Sequence, residues 1–149
     1  IMYKNRSQGF TLIELLVVIA IIGVLSAVVL ASLNTARSKG NDAAIQYDLS
    51  TIQTKAEIYY GDNSNGYGST VTACNAGMFL DPTIKKAIEG ADSANGASVL
   101  TCFASATIYA ISSPLSSNSV KSWCVDSTGS VGLRTLNGGL ATATGCPAS

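Results

Sequence analysis

Between Leu15 and Leu33 the sequence L-L-V-V-I-A-I-I-G-V-L-S-A-V-V-L-A-S-L carries no charged residue, and no other stretch limits the possible folds so strongly. At about 1.5 Å per residue such a run crosses or nearly crosses a hydrocarbon core about 30 Å thick. One charge stands just inside its start, at Glu14. A carboxylate at mid-membrane costs about 2.5 to 3.5 kcal/mol, so a residue placed there implies a function and calls for a partner. The run also has a grain. Ala20, Gly23, Ala27 and Ala31 recur at spacings of three and four and share one helix face, where small residues allow close helix approach.

Residues 1–9, I-M-Y-K-N-R-S-Q-G, carry Lys4 and Arg6 and no acid, and read as a targeting leader. An ordinary secretory signal is the competing reading, but its apolar region spans about 7 to 15 residues, shorter than the run here. A plain signal anchor is the other competitor. Lysine and arginine bias is nearly balanced, with Lys4 and Arg6 before the run and Arg37 and Lys39 after it, so the positive-inside rule gives little orientation. The cysteines decide it. Cys74, Cys102, Cys124 and Cys146 all follow the run, and an even count fits disulfides in an oxidising compartment. The N-terminus is expected inside and the remainder outside.

Beyond Leu33, Ile45, Leu49, Ile52, Ala56 and Tyr59 keep helical periodicity with one apolar face, while Gln46, Ser50, Gln53 and Glu57 form a wet one. One helical rod is expected from Phe10 to about Tyr60, on the order of 75 Å long, with Asn34 and Gly40 as places to bend. The division expected is 1–9 leader, 10–33 membrane or filament-core half, 34–60 amphipathic half and 61–149 a disulfide-stapled domain. Residues 61–68, G-D-N-S-N-G-Y-G, form a turn cluster that fails the acidic calcium-loop pattern: from Asp62, the third, fifth, sixth and twelfth positions are Ser64, Gly66, Tyr67 and Ala73. A short helix is expected over Pro82–Glu89, capped by Asp81 and stopped by Gly90. Strands are expected at Val99–Phe103, Thr107–Ile111, Val120–Val125 and Val131–Leu136, with residues 126–130 as a tight hairpin in which Gly129 takes positive φ. Laid on the amphipathic half, one face of this sheet completes a core. The fold class is α+β, a long N-terminal helix packed on a small antiparallel sheet.

The part outside the membrane run is rich in Ser, Thr, Gly, Ala and Asn, so its core is thin and needs support. Four cysteines allow three pairings. The sequential one, Cys74 with Cys102 and Cys124 with Cys146, is preferred because it staples the irregular region to the first strand and the tail to the sheet. Each loop then contributes about 3 kcal/mol in the chain-entropy account. No C-x-x-C and no histidine occur, so neither a metal site nor a cofactor site is indicated. No catalytic residue emerges either, since the commonest general base is absent and the carboxylates are scattered. Nine basic and nine acidic side chains cancel, and seven against nine remain without Lys4 and Arg6, which leaves no footprint for nucleic acid.

The order Gly9, Phe10, Thr11, Leu12, Ile13, Glu14 at the mouth of an uncharged helix resembles the type IV pilins and the similar pseudopilins. The resemblance is close over about the first 40 residues and architectural beyond them. It implies that a prepilin peptidase cuts between Gly9 and Phe10 and methylates the new amine. It also implies that subunits leave the inner membrane for a helical homopolymer, extracellular or periplasmic, driven by an assembly ATPase and a membrane platform protein. In that account Glu14 meets the Phe10 amine of a neighbouring copy. The pairing makes physical sense, because a cation at the positive end of a helix is unfavourable and two buried charges become tolerable as a satisfied pair. Gly23 matches a glycine that, together with a proline many pilins carry at the position of Ala31 here, is associated with local unwinding of the helix in the filament; the proline is not kept, which puts unwinding in doubt. A major pilin is the leading expectation and the main pseudopilin of a type II secretion system the runner-up. From other classes come a membrane-anchored binding module using loops 61–75 and 113–119, and an anchored hydrolase for which no cleft is visible.

Overall fold

The computed structural model describes residues 9–135 together with 145 and 146. Residues 1–8 of the expected leader, and Leu136 of the expected fourth strand, lie outside the described residues. The elements are α1 (Leu12–Asp62), a 3-10 turn (Gly77–Leu80), α2 (Pro82–Ala94), β1 (Thr101–Ala104), β2 (Tyr109–Pro114), β3 (Lys121–Asp126) and β4 (Val131–Thr135). α1 is a single helical element of 51 residues, unbroken at Asn34 and at Gly40. The chain divides into two compact units, Ile1–Ala36 and Arg37–Ser149. The second half of α1 therefore belongs with the sheet, because its apolar stripe is part of the sheet's core.

In the N-terminal unit every described residue is exposed, and its large apolar side chains range from 84% at Phe10 to 47% at Val18. Its part of α1 is long and apolar enough to cross a membrane, and none of it is buried within the chain. The hydrophobic effect acting on these side chains is thus unspent in the isolated molecule.

In the C-terminal unit, Ile45, Leu49, Ile52 and Ala56 of α1 are fully buried. They pack in one cluster with Met78 and Phe79 of the 3-10 turn, Ile84 of α2, and Tyr109, Ile111 and Val125 of the sheet. The sheet is an antiparallel meander in the order β1-β2-β3-β4. Its other face carries a smaller cluster, Ala110 and Cys124, covered by Cys146. The fold is α+β.

Three local expectations need correction. α2 does not stop at Gly90 but runs to Ala94, with Asn95 as C-cap. Gly90 serves close approach instead: a Cβ there would stand 2.6 Å from the carboxylate oxygen of Asp48 on α1. The start of α2 is as its sequence implies, with Asp81 accepting from the Thr83 and Ile84 N–H groups and Pro82 opening the first turn. β1 begins at Thr101, leaving Val99 outside it and 85% exposed. β2 starts later and ends later than expected, taking in Ser112, Ser113 and Pro114. These residues look like a turn by composition, but Ser112 and Ser113 are buried opposite Cys124 and Trp123, and tertiary pairing overrides local preference. The Ser113 hydroxyl accepts from Asn95 Nδ2 at 3.0 Å, and the 3-10 turn has no periodic signal at all.

Candidate functional site

The conspicuous polar feature of the N-terminal unit is built by Thr11 and Glu14 at the start of α1. Thr11 donates its N–H to Glu14 Oε2 at 2.9 Å and its hydroxyl to the same oxygen at 2.7 Å, while the Glu14 N–H reaches Thr11 Oγ1 at 3.2 Å. This reciprocal arrangement is a capping box, which satisfies two N–H groups that a helix start otherwise leaves without partners. The T-x-x-E spacing that encodes it stands in plain view in the sequence, beside the features read for Glu14. In this state the carboxylate holds its own helix. Meeting an amine on another copy requires a change of partner for Oε2 or use of Oε1.

Gly9 and Phe10 precede the helix and are exposed, and a Cβ added at Gly9 meets nothing within 4 Å. Gly23 is likewise open, with nothing within 4 Å of an added Cβ. Packing among the described residues requires neither glycine.

The four cysteines form two disulfides, Cys74–Cys102 and Cys124–Cys146. The first ties the segment after the turn cluster to β1, where Val71 also makes an isolated bridge to Ala104. The second ties the tail to β3, and here Asp126 appears as a residue that sequence reasoning missed. It is 2% exposed. Its Oδ1 accepts from the Thr128 N–H, the Thr128 hydroxyl and the Ser130 N–H, and its Oδ2 accepts from the Cys146 N–H at 2.7 Å. Burial pushes this carboxyl up, but the hydrogen bonds from Thr128, Cys146 and Ser130 outweigh it and hold the group below its ordinary range. One side chain thus shapes the β3–β4 hairpin, in which Gly129 has φ +81°, and seats the second disulfide.

The loops considered for binding are engaged with the domain. The turn cluster folds back so that Tyr67 is buried, its ring 4.8 Å from Tyr60 and 4.9 Å from Tyr109 between centroids. Tyr67 donates its hydroxyl to Glu57 at 3.0 Å, and burial together with that carboxylate keeps the phenol protonated. In the β2–β3 loop, Ser117 donates its N–H to Asp42 Oδ1 at 3.0 Å and its hydroxyl to Oδ2, and Asn41 Nδ2 contacts Ser116 Oγ at 3.4 Å. A groove of about 660 Å³ lies between residues 72–75, α2 and residues 97–100. Its charges are the exposed Lys85–Glu89 pair at 3.9 Å and Asp92, which form no nucleophile and base constellation. Among the described residues no group of three His, Cys, Asp or Glu side chains is placed to hold a metal ion.

An exposed membrane-length helix opening on a carboxylate cap is followed by an amphipathic continuation under a small stapled sheet, an α+β arrangement of pilin-like kind. Residues 4–30 match the prokaryotic N-terminal methylation motif, and the chain is similar over part of its length to type IV pilus and type II secretion proteins. It is similar to the type IV wide pilus major component PilA4 of Thermus thermophilus, 44% identical over 69 residues, which are 46% of this chain and 52% of that protein. It is also similar to type II secretion system core protein G of Aeromonas hydrophila, 33% identical over 75 residues, 50% of this chain and 52% of the other. The same core protein of Pectobacterium carotovorum is 34% identical over 80 residues, 54% of this chain and 50% of its own. The chain spans about half the length of the curated relatives it matches. No solved structure matches it.

Proposed function

We propose that this chain is the major subunit of a type IV pilus, cut between Gly9 and Phe10 by prepilin peptidase, N-methylated on Phe10 and polymerised with copies of itself. The observation that carries the reading is the exposure of an apolar helical stretch, residues 12–33, whose only charge is Glu14. Such a surface needs lipid first and other copies of the same helix afterwards. Before assembly the chain sits in the inner membrane with its N-terminus inside, and the C-terminal unit oxidises its disulfides outside. An assembly ATPase and a membrane platform protein supply the work of extraction. Its role is structural and not enzymatic, with no cofactor.

The likeness to core protein G supports a second reading, a major pseudopilin of a type II secretion system. Neighbouring secretin and secretion genes separate the two.

The test is the intact mass of filament protein sheared from cells. A chain beginning at methylated Phe10 with two disulfides is expected; a mature chain starting elsewhere, or none outside the membrane, overturns the proposal. Glu14→Ala is expected to be cut normally and to give at least about tenfold fewer filaments, since an amine left unpaired in an apolar core is heavily disfavoured. Substituting a bulky residue for Gly9 is expected to block cutting while leaving the fold intact.

A further inference from the structure

The charges on the second half of α1 are unevenly employed. Asp42 is held by Ser117, Asp48 packs on Gly90, Lys55 pairs with Asp81 at 3.6 Å, and Glu57 accepts from Tyr67. Arg37 and Lys39 at one end and Asp62 at the other have no ion pair or side-chain hydrogen bond among the described residues. Arg37, Lys39 and Asp62 are all exposed. Asp62 is moreover the last residue of α1, where the carbonyl end of a helix favours a cation and disfavours an anion, and no basic residue lies in that last turn.

Spacing adds a second constraint. Arg37 and Asp62 are 25 positions apart, close to seven helical turns, so they lie on the same face of α1. Lys39 falls on a different face. The rise between Arg37 and Asp62 is about 38 Å. A second copy displaced along the helix direction by that amount brings its Arg37 level with Asp62 of the first, on the matching side. A guanidinium is suited to such a contact, because its planar fork binds a carboxylate through two parallel hydrogen bonds.

We infer that Asp62 of one subunit is met by Arg37 of another, forming a repeated head-to-tail ion pair. The contact is heterologous, so it propagates without closing, as an open polymer requires. It also places the favoured positive charge at the carbonyl end of α1, whose own last turn carries no basic residue. This inference rests on the reading of the chain as a homopolymer, and it adds which parts of the C-terminal units touch.

The experiment is a charge swap in cells that assemble the natural chain. Arg37→Asp and Asp62→Arg are each expected to lower sheared filament yield by about tenfold or more, because each sets like charges against one another. The double variant R37D/D62R restores the yield to within about threefold of the natural chain, since the pair is re-formed with its signs exchanged. Intact mass with two disulfides shows that each variant folds. Natural yields from both single variants overturn the inference, as does a double variant no better than the singles. The homopolymer reading fails separately, through a natural chain that forms no filament of its own copies.

Discussion

Two stretches of one helix, residues 12–33 and residues 37–62, meet opposite fates. In the first, Leu16, Ile22 and Val28 are exposed, at 61%, 57% and 66%. In the second, Ile45, Leu49 and Ile52 are at 0%. Both are helical and both carry aliphatic side chains. They differ in where the complementary surface is encoded. The second stretch carries one apolar stripe, and the same chain provides the sheet and α2 that cover it. The first is apolar all round, a pattern that no single-sided domain can satisfy. Substitutions in the two stretches should therefore separate stability from assembly.

The largest expected contrast comes from truncating one leucine in each. Leu49→Ala leaves a cavity in the main cluster and should lower the stability of the C-terminal unit by about 2 to 5 kcal/mol. Leu16→Ala should change it by less than about 0.5 kcal/mol. Urea unfolding of the full chain in detergent, followed through the half-buried Trp123, measures both; equal losses would erase the distinction between the stretches.

Asp126→Asn tests whether the C-terminal unit depends on its buried carboxylate as well as on its apolar cluster. Asparagine turns one acceptor into a donor facing the Cys146 N–H, which should cost about 1 to 3 kcal/mol. The pH dependence has a definite sign. The folded-state pKa is lowered, so the contribution is fully present above the unfolded value near 3.9 and disappears as pH falls through the lowered folded value. Acid unfolding curves of the variant should lack that component below about pH 4. A variant with the same acid sensitivity as the natural chain would assign it to other carboxylates.

Thr11→Ala is the mildest change and acts on the exposed stretch alone. Losing the reciprocal cap should cost about 1 kcal/mol at the first turn of α1. Faster amide exchange at residues 11–15 with an unchanged urea midpoint is the expected result. A shifted midpoint would mean that the cap supports the C-terminal unit too.

Much of this architecture was legible in the sequence, because it rests on periodicity. The stripe through Ile45, Leu49, Ile52 and Ala56, the Asp81–Pro82 helix start and the Gly129 hairpin each have a local signal that matches the structure. The errors fall where a distant partner decides. Ser112 and Ser113 extend β2 because β3 lies beside them, and Gly90 sits mid-helix because Asp48 crosses it. At the site, Glu14 is conspicuous in sequence for its charge, while its engagement with Thr11 is carried by the less conspicuous T-x-x-E spacing. Asp126 gave no signal, since an aspartate opening a turn is ordinary in sequence and only the fold buries it.

The meander order of the sheet bears on how such a molecule is made. Each strand pairs with the one emitted just before it, so the sheet can grow as the chain appears, N-terminus first, with no need to await a distant segment. α1 precedes the strands in the chain, so its apolar stripe is available when each hairpin follows. The cysteines follow the same schedule: the loop between Cys74 and Cys102 can close before Cys124 has arrived. The topology thus permits vectorial formation of the domain, with its two covalent locks able to close in the order in which they are synthesised.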